Sequence, residues 1–444
     1  MRYVRILIVS LLLVAALQAD NGSATPVRMT LEQVLNQALQ KNQALKAAEF
    51  QVQAAQKKVW VAKSSFLPTI QYVGSYNWYE KPMIIIPIHE PRRLPPLDDR
   101  VFNSQLQLRL PIFAGGQRFA AHKLAKAGFQ ESGAQKKVVE NKVIQSIANL
   151  FLQARELQGK RELIARRLQA LRERQRELLL LKREGRVSEA DAALLQASLQ
   201  STIADSVQLT SAWQQLTYRL GQVVGVKYPI APAVEVTDTT PEIPADLFPD
   251  TTEADMRLNN PELKKAHTQL VKAHAMKNLA IHSFLPSISG YYTHLLNSSG
   301  NDWDPFDEYA FGITFQIPLF EGGRRIANLS AARAAEKAAE ANLEHTRLEQ
   351  RTTLEIAYFQ WKAARQRRQL LHLSVQSKQK YVDASRKLYQ EGRLPLSDLL
   401  MQETELLALQ LQEQELQYAE QKAILDYQIL IGHLNEQTVK EIIH

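Results

Sequence analysis

Two turns in this sequence combine glycine with charged side chains, and they are its strongest candidates for a functional site. An aspartate at the start of a helix stabilises that helix through the helix dipole, which is the simplest role for the aspartates here. The sequence offers no nucleophile–base pair and no phosphate-binding glycine loop, so we predict no catalytic activity and no cofactor. The candidate residues are Gly185, Arg186 and Asp191 in the first turn, and Tyr389, Gly392, Arg393 and Asp398 in the second.

Three histidines, His267, His274 and His282, are spaced seven and eight residues apart on one predicted helix. Metal ligation usually requires closer spacing and a further ligand, so we favour surface histidines over a metal site. The chain has no cysteine, which excludes disulfide bonds and thiolate metal ligands.

The elements that position these residues occur twice, because the chain contains an internal repeat. Phe66-Leu67-Pro68 returns 218 residues later as Phe284-Leu285-Pro286, and a motif of a proline followed by two glycines returns after 207 residues. The shift changes between the two motifs, so the first copy has the longer loop between its strands. We predict that each glycine pair turns a strand into a helix. The junction residues are Pro111, Gly115 and Gly116, and then Pro318, Gly322 and Gly323.

Each copy is predicted to contain two strands, at about 69–79 and 102–110 and at about 287–296 and 309–317. Their side chains alternate between apolar and polar, and strands of about 9–11 residues cross a bilayer when tilted. A half-buried sheet in a water-soluble protein is the alternative. Four strands cannot close a barrel, and lipid does not tolerate an open sheet edge, so copies of the chain must assemble.

Three helices are predicted in each copy, and the middle one is unusually long. At 1.5 Å per residue it would extend for about 100 Å, which is typical of a coiled coil. The third helix of each copy, which follows the long one, is called the return helix. Ser188 is expected to cap the return helix of the first copy, and Pro395 suits the first turn of the return helix of the second copy. The predicted ranges are about 42–64, 118–184 and 188–225 in the first copy, and about 261–282, 325–391 and 395–432 in the second.

The sequence therefore divides into a first repeat at 20–225, a linker at 226–252, a second repeat at 253–432 and a tail at 433–444. Residues 1–19 combine two arginines, an apolar run and a small final residue, which is typical of an export signal. An uncleaved membrane anchor is the alternative, although the apolar run of about 12 residues is too short to span a bilayer.

The duplicated Phe-Leu-Pro and proline–glycine–glycine motifs, with a glycine turn and an aspartate six residues later, resemble the TolC family of outer-membrane efflux ducts. The resemblance covers about Leu31 to Gly432. It implies a mainly α fold with membrane β-strands, in which a homotrimer forms a twelve-stranded β-barrel on a tunnel of twelve helices. It also implies contact with outer-membrane lipid in a Gram-negative bacterium, and extension into the periplasm.

The resemblance further implies that the two turns form a periplasmic gate and the docking tips for a periplasmic adaptor protein and an inner-membrane pump. Tyr389 matches a tyrosine of some members, Arg393 lies one place earlier than their arginine, and Met401 replaces their second acidic residue. A closing ring of three Asp398 side chains is one interpretation, and a helix-start role is the other. For Asp191 we favour the helix-start role.

The net charge of +8 is spread over helices of mixed charge, so we expect no nucleic-acid partner. Arginines are frequent between Arg155 and Arg186. A solvated coiled-coil face is the favoured interpretation of that run, and an electropositive tunnel lining is the alternative.

We predict a passive exit duct of a tripartite efflux or type I secretion system. Ducts of this architecture carry drugs, metal ions, proteins or glycans, with specificity set mostly by the pump. A structural or adhesive coiled-coil surface protein is the alternative, and it would have heptads without the two strand hairpins. A periplasmic adaptor would need a lipoyl-like or barrel domain, which the sequence does not contain in readable form.

Overall fold

The structure of the chain is a computed structural model, and it describes residues 26–84, 97–183, 188–234, 256, 259–299, 306–432, 439 and 442. The chain divides into two compact units, each built from both repeats. The helical unit comprises Met1–Ala47, Lys137–Asn260 and Leu348–His444, and the strand unit comprises Ala48–Lys136 and Pro261–Arg347.

The helices follow the order of the two repeats. The first repeat has α1 (Leu31–Lys41), α2 (Gln43–Ser64), α3 (Gln117–Arg183) and α4 (Glu189–Val224). The second has α5 (Pro261–His282), α6 (Arg324–Gln390) and α7 (Leu396–Leu430). Helices α3 and α6 have 67 residues each and begin 207 residues apart, which is the offset of the repeat.

Helix α1 was not expected from the sequence, which predicted a helix only from about residue 42. Thr30 and Gln33 form a capping box in which each side chain accepts a hydrogen bond from the other residue's backbone N–H. The apolar residues then recur at helical spacing and are buried. Helix α1 ends at Asn42, whose extended ψ of 125° separates it from α2.

The helical unit also contains a small parallel sheet that was not predicted. Strand β1 (Val27–Met29) pairs with β4 (Ile230–Pro232), which lies in the segment interpreted as a linker. Ile230 is fully buried there. The sheet therefore fixes the chain after α4 against the segment that precedes α1.

The strand unit holds one antiparallel sheet in the order β2-β3-β5-β6. Strands β2 (Thr69–Ile84) and β3 (Leu97–Ala114) extend further than predicted. Their mutual pairing continues past an irregularity between Trp78 and Met83, and β3 pairs with β5 as far as Ala114. Strands β5 (Ser287–Ser299) and β6 (Phe306–Gln316) form the second hairpin. The sheet thus contains the two hairpins that the coiled-coil surface protein would lack.

One face of the two edge strands is apolar and exposed. On β2 these residues are Ile70, Tyr72, Tyr76 and Trp78, and on β6 they are Phe311, Ile313 and Phe315. A sheet buried on one face would instead cover its apolar side chains within the chain. The exposed apolar face therefore contradicts the half-buried alternative for this sheet. Among the helices in the described ranges, none is both long enough and apolar enough to cross a membrane.

Several sequence predictions lie outside the described residues. They are the export signal at 1–19, the turn residues Gly185 and Arg186, most of the linker at 226–252, and the tail at 433–444 apart from residues 439 and 442.

Candidate functional site at the helix ends

The second glycine turn has a well-defined helix-ending geometry. Gly392 has a φ of 73°, its N–H donates to the Tyr389 carbonyl (2.9 Å), and the Arg393 N–H donates to the Leu388 carbonyl (2.8 Å). This pair of hydrogen bonds is the Schellman motif, which satisfies two of the last carbonyls of α6. Pro395 occupies the N-cap position of α7, one residue before the first turn in which it was expected.

The first glycine turn is described from Ser188 onward, and Ser188 caps α4 as predicted. Its Oγ accepts a hydrogen bond from the Asp191 N–H (3.0 Å) and donates one to the Asp191 carboxylate (2.7 Å). Asp191 thus contributes to the start of α4, where a negative charge is favourable.

The charged residues of the second turn contact near neighbours in the chain. The Arg393 guanidinium is 72% exposed and lies 3.4 Å from the Glu391 carboxylate. Asp398 is half-buried, and the Ser397 Oγ lies 3.4 Å from one of its oxygens. Asp398 therefore keeps most of its acceptor capacity for groups outside the contacts of a single chain.

A buried charge cluster lies close to this turn, and it was not predicted. We call it the arginine–glutamate cluster; it consists of Glu403 on α7, Arg167 and Arg174 on α3, and Arg386 on α6. Arg174 donates two hydrogen bonds to the Glu403 carboxylate (2.9 and 3.3 Å), Arg386 donates one (2.9 Å), and Arg167 donates another. The Glu403 side chain is only 2% exposed and that of Arg167 only 8%.

Burial alone would raise the pKa of Glu403, but the hydrogen bonds and charges of Arg174, Arg386 and Arg167 outweigh it and lower that pKa to about 2. Burial also lowers the pKa of Arg167, although the Glu403 charge opposes that shift. Since a buried arginine remains protonated, Glu403 is the counter-charge that makes its burial possible.

The cluster is connected to the turn through Tyr389. The Arg174 guanidinium lies 5.6 Å from the centroid of the Tyr389 ring, within the range of a cation–π contact. Tyr389 also packs on a buried leucine cluster, and burial raises the pKa of its hydroxyl. Helices α3, α4, α6 and α7 are thereby held together at the turn. The leucines are Leu171, Leu178, Leu195, Leu199, Leu396 and Leu400.

These contacts correct the interpretation of the arginine run. Arg155 and Arg167 are buried, and Arg174 pairs with Glu403. For these three residues, neither a solvated coiled-coil face nor a tunnel lining describes the environment. Arg167 and Arg174 are seven residues apart and so lie on one side of α3, which is a sequence signal that could have indicated a shared partner but was not used.

In each repeat an asparagine fastens the end of the return helix to the start of the helix that precedes the strand pair of the same repeat. Asn42 Nδ2 donates to the Val223 carbonyl (2.6 Å), and Asn260 Nδ2 donates to the Leu430 carbonyl (2.8 Å). Each carbonyl lies two residues before a glycine with positive φ, Gly225 or Gly432. We call this contact the asparagine latch. Its presence in both repeats shows that the alignment of Asn42 with Asn260 reflects a shared geometry.

The two strand–helix junctions share one contact and differ in another. Arg118 donates to the Pro111 carbonyl (2.7 Å), and the equivalent Arg325 donates to the Pro318 carbonyl (3.4 Å). The glycine pairs of both junctions, Gly115–Gly116 and Gly322–Gly323, have positive φ. A Cβ on Gly115 would lie 2.4 Å from Leu285 Cβ, and a Cβ on Gly116 would lie 2.7 Å from His282 Nδ1, whereas Gly322 and Gly323 have open space.

Two of the three histidines have structural contacts, and His267 is exposed. His282 Nδ1 donates to the Gly115 carbonyl (2.8 Å), and His274 Nδ1 lies 2.7 Å from the Glu336 carboxylate, which also accepts from Lys277. Within the described ranges, no group of three or more histidine, aspartate or glutamate side chains is arranged to hold a metal ion.

Comparisons with known proteins assign the family. The outer membrane efflux protein family matches residues 34–226 and 254–433, and the chain belongs to this family. Protein CyaE of Bordetella pertussis is 25% identical over 357 residues, covering 76% of this chain and 70% of CyaE.

Solved structures give the same fold at lower identity. The CmeC outer membrane channel of Campylobacter jejuni is 18% identical with a TM-score of 0.77, covering 93% of this chain and 89% of CmeC. The outer membrane protein VceC of Vibrio cholerae is 18% identical with a TM-score of 0.75, covering 90% of this chain and 96% of VceC. The predicted fold class, mainly α with strands in two repeats, is confirmed.

Proposed function

We propose that this protein is a passive exit channel of the outer membrane, formed by three copies of the chain and extending into the periplasm. The observation that carries the proposal is a four-stranded sheet whose edge strands expose an apolar face. Edge strands in lipid must find partners, because each unpaired backbone group there costs several kcal/mol. Membership of the outer membrane efflux protein family supports the same function.

The partners proposed are a periplasmic adaptor protein and an inner-membrane pump that dock at the helix tips around Gly392 and Arg393. The exposure of the Arg393 guanidinium suits such a contact. The cargo follows from the pump, so drugs, metal ions, proteins and glycans are all compatible with the channel itself.

Asp398 is proposed to form a closing ring at the tip, with one carboxylate from each copy. In the part of the chain that the structure describes, its carboxylate forms no ion pair, so it is available to the cations or hydrogen bonds that like charges near an axis require. The arginine–glutamate cluster would keep the ring in place by fixing α3, α6 and α7 above the turn.

The oligomer is tested by the mass of the detergent-solubilised protein, which should equal three chains. A monomer in detergent, or a protein that stays soluble without detergent, contradicts the channel. Single channels in planar lipid bilayers then report on the gate. We expect Asp398→Asn to raise the conductance and to weaken block by divalent cations, because the cations that would bridge the ring of carboxylates and close it no longer bind.

Asp191→Asn is the matched control for that experiment, since it is the equivalent substitution in the first repeat. A helix-start role predicts only a small loss of stability, about 0.3–1 kcal/mol, with unchanged conductance. If both variants behave in that way, Asp398 is not a gate residue, but the proposed channel function is not contradicted.

A further inference from the structure

The seam between the two hairpins is a contact between repeat one and repeat two within a single chain. Strand β3 pairs with β5, with Leu106 opposite His294, Gln107 opposite Thr293 and, beyond an irregularity, Phe113 opposite Ile288. Among the strands that the structure describes, the outer edges of the sheet, on β2 and β6, have no such partner.

The two hairpins have the same register once the repeat is taken into account. In the first, Tyr72 lies opposite Leu106, and in the second, Gly290 lies opposite Ile313. Residues Tyr72 and Gly290 are 218 apart, and Leu106 and Ile313 are 207 apart, which are the offsets read from the sequence. The repeat therefore extends to the pairing of individual residues.

We infer that the β6 edge of one copy pairs with the β2 edge of a second copy in the register of the internal seam, which rests on the proposed trimer. Applying the offsets of 207 and 218 places Ile313 opposite Tyr76, Thr314 opposite Ser75 and Phe320 opposite Ile70. Edge β6 meets edge β2, so the contact is head-to-tail and can close into a ring.

The end of β3 pairs with a neighbouring strand, and the end of β6 has no such pairing among the described residues. The second copy would supply the missing neighbour. Strand β3 continues to Ala114 because Phe113 and Ala114 pair with β5. Strand β6 stops at Gln316. Leu319 and Phe320 are accordingly 91% and 86% exposed, against 57% and 46% for the equivalent Ile112 and Phe113. On assembly we expect residues 317–320 to join the sheet.

The second junction is open in the same way. Gly115 is covered by the turn that contains Leu285, whereas Gly322 has open space within the chain. The residue equivalent to Leu285 in the first repeat is Leu67, which is 55% exposed. The same register brings Leu67 of the second copy to Gly322, so it would cover the open junction.

The alternation of side chains agrees with this register. Ile313 and Tyr76 both belong to the apolar faces of their strands, and Thr314 and Ser75 both belong to the polar faces. A slip by one residue would place apolar side chains opposite polar ones. A register shifted by two residues also keeps apolar side chains opposite apolar ones. The choice between these registers therefore depends on the offset of the repeat and not on polarity.

Paired cysteines test the register, since the natural chain has no cysteine. Thr314→Cys with Ser75→Cys in one chain should give covalent dimers and trimers on oxidation, because directly opposed Cβ atoms lie about 4.5–5.5 Å apart. Gln107→Cys with Thr293→Cys is the internal reference, since it is the same pair of positions within the seam. It should cross-link without forming covalent oligomers.

Two displaced pairs are the controls, and they share the polar face. They combine Thr314→Cys with Val73→Cys or with Asn77→Cys, and each should cross-link at least about five-fold less, since diagonal Cβ atoms are about 7–8 Å apart. A displaced pair that cross-links better overturns the register. If intact trimers form the reference cross-link but no cross-link between β6 and β2, the proposed pairing between the edges of two copies is wrong. A monomeric mass for the unsubstituted protein would overturn the proposed function instead.

Discussion

Repeat one and repeat two have the same asparagine latch, but among the described residues a buried acid near the turn is found in repeat two and not in repeat one. Glu403 is 207 residues after Gln196, which is exposed and hydrogen-bonded to Gln175 (3.0 Å). Glu403 instead accepts hydrogen bonds from three arginines. The duplication therefore kept the backbone contacts that end and join helices, while the polar contacts between helices diverged at the tips.

The divergence has a physical reason. A latch satisfies backbone carbonyls that every helix end leaves unpaired, so both repeats need it. A buried ion cluster satisfies no general requirement, and a hydrophobic replacement is often at least as stable. The exposed Gln196 at the equivalent position of repeat one is therefore consistent with a specific task of Glu403 at the second turn, where the proposed gate residue lies.

The largest expected effect comes from Glu403→Gln, which makes the second turn resemble the first at this position. Arg167 would remain buried without a counter-charge, and the loss of one partner of such a pair costs about 3–5 kcal/mol. We expect faster amide hydrogen exchange in α3, α6 and α7 near the turn, and more frequent channel opening.

The matched control for this prediction is Glu405→Gln on the same helix. The Glu405 side chain is 53% exposed and pairs with Lys378, so its substitution should change stability by less than about 1 kcal/mol. Equal exchange rates in the two variants would show that the arginine–glutamate cluster does not hold the turn.

The next largest effects are expected at the latches, and here the two repeats should behave alike. Asn42→Ala and Asn260→Ala each remove the donor to a carbonyl near a helix end, which costs about 1–3 kcal/mol. Amide exchange should accelerate at the end of α4 for the first variant and at the end of α7 for the second. Gln43→Ala, beside the first latch, is the control and should leave both regions unchanged. A latch that can be removed without effect in one repeat would restrict the shared geometry to the other.

The smallest expected effect is that of pH in the ordinary range. The pKa of Glu403 is lowered to about 2 in the folded protein, so its stabilisation is complete above the unfolded value near 4.5. Conductance and local exchange at the second turn should therefore not change through this group between about pH 5 and 8. The contribution is lost as the pH falls from about 4.5 through 2, and exchange near the turn should rise there. In Glu403→Gln this rise should be reduced, and a rise of equal size would assign it to other carboxylates.

Much of the fold was predictable because long helices and repeated motifs are local signals. The helices α3 and α6 follow from proline-free runs of helix-forming residues, and Ser188 follows from the preference for serine at an N-cap. Strands β1 and β4 were missed because three residues are too few to show alternation, and their pairing joins segments about 200 residues apart.

The candidate site was predictable only in part. The glycine turn, Tyr389 and Asp398 were identified, because their spacing resembles a known family. Glu403 was not, because glutamate on a long helix is usually solvated and only the neighbouring helices bury it. Met401, which replaces the second acidic residue of some family members, lies two residues before the buried Glu403.

The sequence by itself determined the duplication, the lengths of the long helices, the position of the second turn and the four strands of the antiparallel sheet. These properties depend on periodicity and on glycine and proline, which act within a few residues. The tertiary structure alone decided which charges are buried together, which carbonyls the asparagines satisfy and which junction is covered. Those contacts join residues that are far apart in the chain, and their energies depend on burial, which no local pattern specifies.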